Sequence, residues 1–129
     1  MSHFTKVKTR LHCLATLEKA IDEMGWKLDF SKTEARGFGS ERYPVAFAAD
    51  LRCGLDLGFV ESPDGYEIVA DWDFIGRRTG LTETKVINEI QRRYAYLKVL
   101  EQAKAAGFTV VEDRRDNDER VTLRVRRWK

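Results

Sequence analysis

The sequence predicts an α+β fold: a mostly antiparallel sheet with two helices packed on one face, in the order β-α-β-β-β-β-β-α-β-β. Two observations carry this. Two segments repeat apolar residues at helical spacing, and each is followed by a glycine. The segments around them alternate apolar and polar residues at period two, and short turns join strand to strand, which favours antiparallel pairing.

A first strand is expected over residues 3–8, although alternation there is poor. The first helix is expected over 12–24. Cys13, Leu14, Leu17, Ile21 and Met24 share one face, while His12, Thr16, Lys19 and Glu23 lie elsewhere. Gly25 is placed to end it in a left-handed conformation. Trp26, Leu28 and Phe30 then alternate with Lys27 and Asp29, as a strand does. A weaker strand covers 33–38, and Gly37 and Gly39 mark a turn.

Residues 43–51 alternate cleanly. Tyr43, Val45, Phe47, Ala49 and Leu51 point one way; Ala46, Ala48 and Asp50 point the other. Arg52-Cys53-Gly54 suits a three-residue turn, with Gly54 supplying a positive φ. Leu55, Leu57 and Phe59 continue the apolar side, and Ser62-Pro63-Asp64-Gly65 is a strong turn signal. Tyr66, Ile68, Ala70 and Trp72 carry the apolar side through the next strand, which leads into a loop bearing Gly and Arg.

The second helix is expected over 82–106, with Thr82 as N-cap and Glu83 in the first turn. Val86, Ile87, Ile90, Tyr94, Leu97 and Leu100 form its apolar stripe. Gly107 ends it, and Phe108 supplies the accompanying apolar contact. Two last strands, 108–113 and 120–128, are joined through Asp116-Asn117-Asp118. Val121, Leu123 and Val125 face the core; Thr122, Arg124, Arg126 and Trp128 do not.

Composition bounds the function. A chain of 129 residues suits one domain, 1–129, with a real core. Hydrophobic residues at 43% and charged residues at 34% indicate a globular rather than disordered chain. No apolar run approaches the roughly 20 residues that cross a bilayer, and MSHFTKVKTR lacks the apolar core of a secretory signal. No membrane association and a reducing, cytoplasmic compartment are therefore expected. Cys13 and Cys53 are too few for a disulfide framework or a Cys-based zinc site. The formal net charge is +2, but residues 114–129 hold seven Lys or Arg against three Asp or Glu, which leaves the rest slightly acidic.

Several short motifs occur in a distinctive order: Ser2-His3-Phe4 with Thr9 beyond it, Asp56-Leu57-Gly58-Phe59, Tyr66-Glu67-Ile68-Val69-Ala70-Asp71-Trp72, Gln91-Arg92-Arg93-Tyr94-Ala95-Tyr96, Gly107-Phe108 and Arg126-Arg127-Trp128. Taken together they resemble the family called hypothetical chloroplast reading frame 35, found in cyanobacteria, algal plastids and other bacteria. The resemblance spans nearly the whole chain; Glu34 to Tyr43 falls outside its pattern. That family is a domain of unknown function. The resemblance implies a compact soluble protein and carries over no activity, cofactor or catalytic residue. It also implies an accessory role beside an AAA+ ATPase.

Four features bear on chemistry. The registers that align the apolar faces place Asp50 opposite Asp56, and Asp56 opposite Asp71. Like charges directly opposite are unfavourable, so an Arg or Lys, a cation or a basic partner should offset them. Asp50, Asp56 and Asp71 are thus candidate ligands for a hard cation such as magnesium; the plainer reading is a solvated face with basic neighbours. Gly76-Arg77-Arg78-Thr79-Gly80 precedes the second helix, where free N–H groups favour anions, so Arg77 and Arg78 are candidate anion-binding residues. The segment is neither a Walker loop nor a dinucleotide fingerprint, and no cofactor is expected. Its plainer reading is a surface connection.

Arg124, Arg126 and Trp128 combine charge with an aromatic on one strand face, which suits a partner surface or single-stranded nucleic acid; charge protecting an edge strand is the alternative. Tyr96 lies off the apolar stripe and is a candidate partner anchor. His3 and His12 form no convincing triad or zinc set. The expectation is a non-enzymatic accessory or adaptor protein with a protein partner. The alternative is a module that binds RNA or single-stranded nucleic acid, and a metal-dependent enzyme built on the three aspartates comes third.

Overall fold

The computed structural model describes residues 4–115 and 121–127. A five-stranded antiparallel sheet forms its centre. The strands are β1 (Thr5–Lys8), β2 (Leu28–Asp29), β5 (Phe47–Asp50), β6 (Asp56–Val60) and β7 (Glu67–Ala70), in the spatial order β1-β7-β6-β5-β2. Two hairpins stand outside it: β3 (Glu34–Arg36) with β4 (Arg42–Pro44), and β8 (Phe108–Arg115) with β9 (Val121–Arg127). Helices α1 (Leu14–Glu23), α2 (Trp72–Thr79) and α3 (Glu83–Ala105) complete the described elements. The α+β class and the antiparallel sheet match the expectation, and β1 takes an edge position.

Register sorts the side chains. Val7 lies opposite Ile68, Ile68 opposite Phe59, and Phe59 opposite Phe47, so one apolar row crosses four strands on one face. Against that row pack Leu17, Ala20 and Ile21 of α1 and Val86, Ile87, Ile90 and Tyr94 of α3. Phe59 is fully buried, and the Phe47 ring stacks on it at 5.2 Å between centroids. Burying one such ring stabilises the fold by about 1.5–3 kcal/mol. The Tyr94 hydroxyl accepts a hydrogen bond from the Cys13 N–H at 3.0 Å, which ties α3 to the start of α1.

Local signals explain the turns. Leu51 N–H donates to Leu55 O at 3.1 Å, and Gly54 has φ +85°. Arg52 also adopts a positive φ, 63°, and its N–H donates to Asp50 Oδ1 at 2.8 Å. Thr82 caps α3 by accepting from Lys85 N–H at 3.2 Å.

Two features depart from expectation. First, the chain forms helix α2 where the end of a strand and a loop were expected. Ile75 is its one buried residue, and the helix is only eight residues long, so the period-two alternation of Tyr66, Ile68, Ala70 and Trp72 reads straight into its start. Gly80, read as part of a turn ahead of the long helix, is instead the left-handed C-cap of α2, at φ +77° with its N–H donating to Gly76 O.

Second, the sheet face away from the helices is covered, so the fold has a third layer. Residues 43–51 do not form one strand. Val45 N–H donates to Thr33 O at 2.9 Å, within the hairpin, whereas Ala46 N–H donates to Phe59 O at 2.8 Å, in the sheet. The chain passes between layers at that point, and Val45 turns to the opposite face from Phe47. The hairpin lies tight on Gly58: a Cβ there would stand 2.6 Å from Val45 Cγ1 and 3.0 Å from Ala35 Cβ. A side chain at position 58 would push the hairpin away.

Candidate functional site

The acidic row lies under this third layer. Asp50 pairs with Asp56 across β5 and β6, in the expected register. The β6–β7 register, Gly58 with Val69 and Val60 with Glu67, carries Asp71 to the same end of the sheet just beyond β7. Asp56 and Asp71 are fully buried, whereas Asp50 is exposed.

The hairpin supplies the offsetting charge. Arg36 donates to Asp56 Oδ2 through its backbone N–H at 2.8 Å and through Nε at 2.9 Å. Its Nη2 reaches Asp56 Oδ1 at 3.0 Å, and Lys32 Nζ reaches the same oxygen at 2.8 Å. The Arg36 Nη2 also lies 3.1 Å from Asp50 Oδ1. Burial alone pushes the Asp56 carboxyl up. The hydrogen bonds from Arg36 and Lys32 outweigh it and hold the group below the ordinary carboxylate range. Hydrogen bonding to Asp56 raises the Arg36 guanidinium in turn.

This arrangement bears on the metal reading of Asp50, Asp56 and Asp71. Four hydrogen bonds occupy the Asp56 carboxylate, which has about four acceptor directions in all. Among the described residues, no three His, Cys, Asp or Glu side chains are grouped to hold a metal ion. Of the three ways to offset the carboxylates, the described residues supply the basic side chains.

Asp71 differs from its neighbours. Its Oδ2 accepts from Phe38 N–H at 3.0 Å, while the buried Oδ1 has no hydrogen-bond partner, nor has the buried Trp72 Nε1. The Phe38 bond pins the hairpin tip. Beside it, Phe4 approaches Gly37 so closely that a Cβ there would lie 2.7 Å from the Phe4 ring. Pinned in this way, Phe38 stays 44% exposed and stacks on Phe74 at 4.0 Å between centroids.

Arg77 and Arg78 join this aromatic pair. Their guanidinium carbons sit 5.3 Å and 5.8 Å from the Phe74 ring centre, within cation–π range. Arg78 also donates to Cys53 O at 2.6 Å. Both arginines belong to the last turn of α2, where unpaired carbonyls favour cations. The two arginines thus sit at the C-terminal end of α2, not in a loop ahead of the long helix.

Tyr96, expected as a surface anchor, is 3% exposed and buried within the chain. Helix α3 packs against β8 as well as α1, so more than its apolar stripe is covered. Arg124 and Arg126 fall in β9, opposite Glu112 and Thr109. Their side chains, and Trp128, lie outside the described residues, as do His3 and residues 116–118.

Sequence reasoning missed Lys32, Arg36, Phe38 and Phe74. The like-charge rule did signal that a cation was needed beside the aspartates; it gave no address for it.

A family model described as "Protein of unknown function (DUF1257)" matches residues 20–124. The chain belongs to this family. It is 26% identical over 129 residues to the "Uncharacterized protein ycf35" of Guillardia theta, covering 100% of this chain and 99% of that protein. It is 25% identical over 129 residues to the protein of the same name from Cyanophora paradoxa, with the same coverage. The "Uncharacterized protein ycf35" of Trieres chinensis is 28% identical over 123 residues, covering 92% of this chain and 91% of that protein. These relatives bear out the resemblance read from the ordered motifs. No solved structure matches. Among the described residues, no helix is long and apolar enough to cross a membrane.

Proposed function

We propose that this DUF1257 member is a non-enzymatic accessory or adaptor protein, a single domain that binds a protein partner. The observation that supports this reading is the platform of Phe38, Phe74, Arg77 and Arg78. Phe38 stands 44% exposed on a hairpin tip that a backbone hydrogen bond to Asp71 holds in place. Aromatic residues and arginine are enriched at the cores of protein interfaces. A side chain already held in place loses little entropy on binding. An AAA+ ATPase is the partner we propose, in a cytoplasm-like compartment that suits the free thiols of Cys13 and Cys53.

A second reading draws on the same platform. Stacked aromatics flanked by guanidinium groups also suit an unstacked base of RNA or single-stranded DNA.

One experiment separates the two. A photo-crosslinking phenylalanine analogue is placed at position 38 and irradiated in the native cells. The adaptor reading expects one protein, cross-linked reproducibly and lost when Arg77→Glu and Arg78→Glu are added. Recovery of RNA in place of protein supports the second reading. If nothing is captured beyond the background seen with the analogue at Ala106, the platform is not a contact surface.

A further inference from the structure

A second charged surface runs along the sheet edge. Among the described residues, no strand pairs with the outer edge of β1. Lys6 and Lys8 of β1, and Arg10 and His12 beyond it, are exposed at alternate positions, while Thr9 and Leu11 between them are buried. The chain stays beside β7 past the end of the strand. Thr9 Oγ1 donates to Tyr66 O at 2.6 Å, and Leu11 O accepts from Tyr66 N–H at 2.8 Å.

The row is only partly compensated. Lys6, 48% exposed, reaches Glu67 at 3.8 Å, and Lys8 lies opposite the same Glu67 across the strands, but Lys8 and Arg10 make no ion pair within 4.0 Å of a described residue. Beside it opens a cleft of about 1040 Å³, bounded by Lys8 to His12, the Ser62–Asp64 turn, Glu67 of β7, and Gln91, Tyr94 and Ala95 of α3.

Charge on an edge strand discourages pairing between copies, because basic rows would then oppose each other. The same row favours a strand of opposite charge. Alternate residues of an extended chain repeat at about 6.8 Å, and a strand laid on β1 would carry its own side chains at that repeat. We infer that the β1 edge accepts an extended acidic segment of a partner protein by strand addition, its alternate carboxylates meeting Lys6, Lys8 and Arg10. Peptide is favoured over nucleic acid at this edge. The one aromatic among the described residues lining the cleft is Tyr94, which is buried and already bonded to Cys13. This edge is separate from the Phe38 platform and binds whether or not the platform does.

The test uses the isotope-labelled full chain and a synthetic peptide alternating Glu and Val. Addition of the peptide should shift the amides of Thr5 to His12 and slow hydrogen exchange along β1. Lys8→Glu with Arg10→Glu should weaken binding about tenfold or more, through the loss of two exposed ion pairs. The milder Lys8→Gln with Arg10→Gln should weaken it less. Three outcomes would overturn the inference: no shift at β1, shifts without slower exchange, or oligouridylate binding this edge in preference to the peptide.

Discussion

Arg36 donates three hydrogen bonds to the single carboxylate of Asp56, one from its backbone and two from its guanidinium. The contact joins the hairpin layer to the central sheet. It also turns what reads as a solvent-facing acidic row into a buried ion pair.

Removing one partner of such a pair should cost more than the pair itself contributes, because the other charge stays buried. Arg36→Ala removes the two guanidinium bonds and leaves Asp56 with Lys32 Nζ and the backbone N–H of position 36 as donors. The Arg36 side chain is 34% exposed, so water can partly replace it. The expected loss is about 2–3 kcal/mol, toward the low side of buried pairs. Urea unfolding measures it. In a double-mutant cycle with Asp56→Asn, the two losses should fall well short of adding.

Asp56 also sets a direction for acid stability. Its folded pKa lies below the unfolded value of about 3.9. The unfolded chain therefore binds the proton more readily, and stability falls as pH drops. The contribution is whole above the unfolded pKa and is lost as pH falls through the folded one. Melting temperature should decline below roughly pH 5, and Asp56→Asn should flatten that decline. A decline of equal slope in the Asn variant would place the effect elsewhere.

Gly58→Ala tests the third layer directly. The added methyl meets Val45 Cγ1 and Ala35 Cβ at sub-contact distance. Overpacking of this kind costs about 1–3 kcal/mol. Hydrogen exchange should quicken at Arg36 and Val45, which bond within or beneath the hairpin, and stay unchanged in α3.

Phe38 and Phe59 should behave oppositely on truncation. Phe38→Ala removes an exposed stack and should cost about 1 kcal/mol. Phe59→Ala opens the core under both helices and should cost about 3–5 kcal/mol. Thermal unfolding compares the two. A large loss at Phe38 would make it a structural residue rather than a surface for partners.

Much of the fold was legible because its signals are local. Period-two alternation placed β5, β6 and β7. Alignment of their apolar faces fixed the register that sets Asp50 against Asp56, because a slip of one residue would bury the wrong side of a strand. Gly25, Gly54 and Gly107 take positive φ where the sequence required it. Helix α2 was less legible, since it is only eight residues long and the alternation of Tyr66, Ile68, Ala70 and Trp72 runs on into its first residue.

The amino-acid order alone settled the α+β class, the register of β5, β6 and β7 and the family resemblance, because each rests on neighbouring residues or on motifs read in sequence. Only the folded chain decided what lies against the acidic row. Lys32 and Arg36 stand 24 and 20 residues from Asp56, and Phe38 stands 33 from Asp71. Polar alternation looks the same whether a face meets water or a hairpin of opposite charge, and no local pattern distinguishes the two.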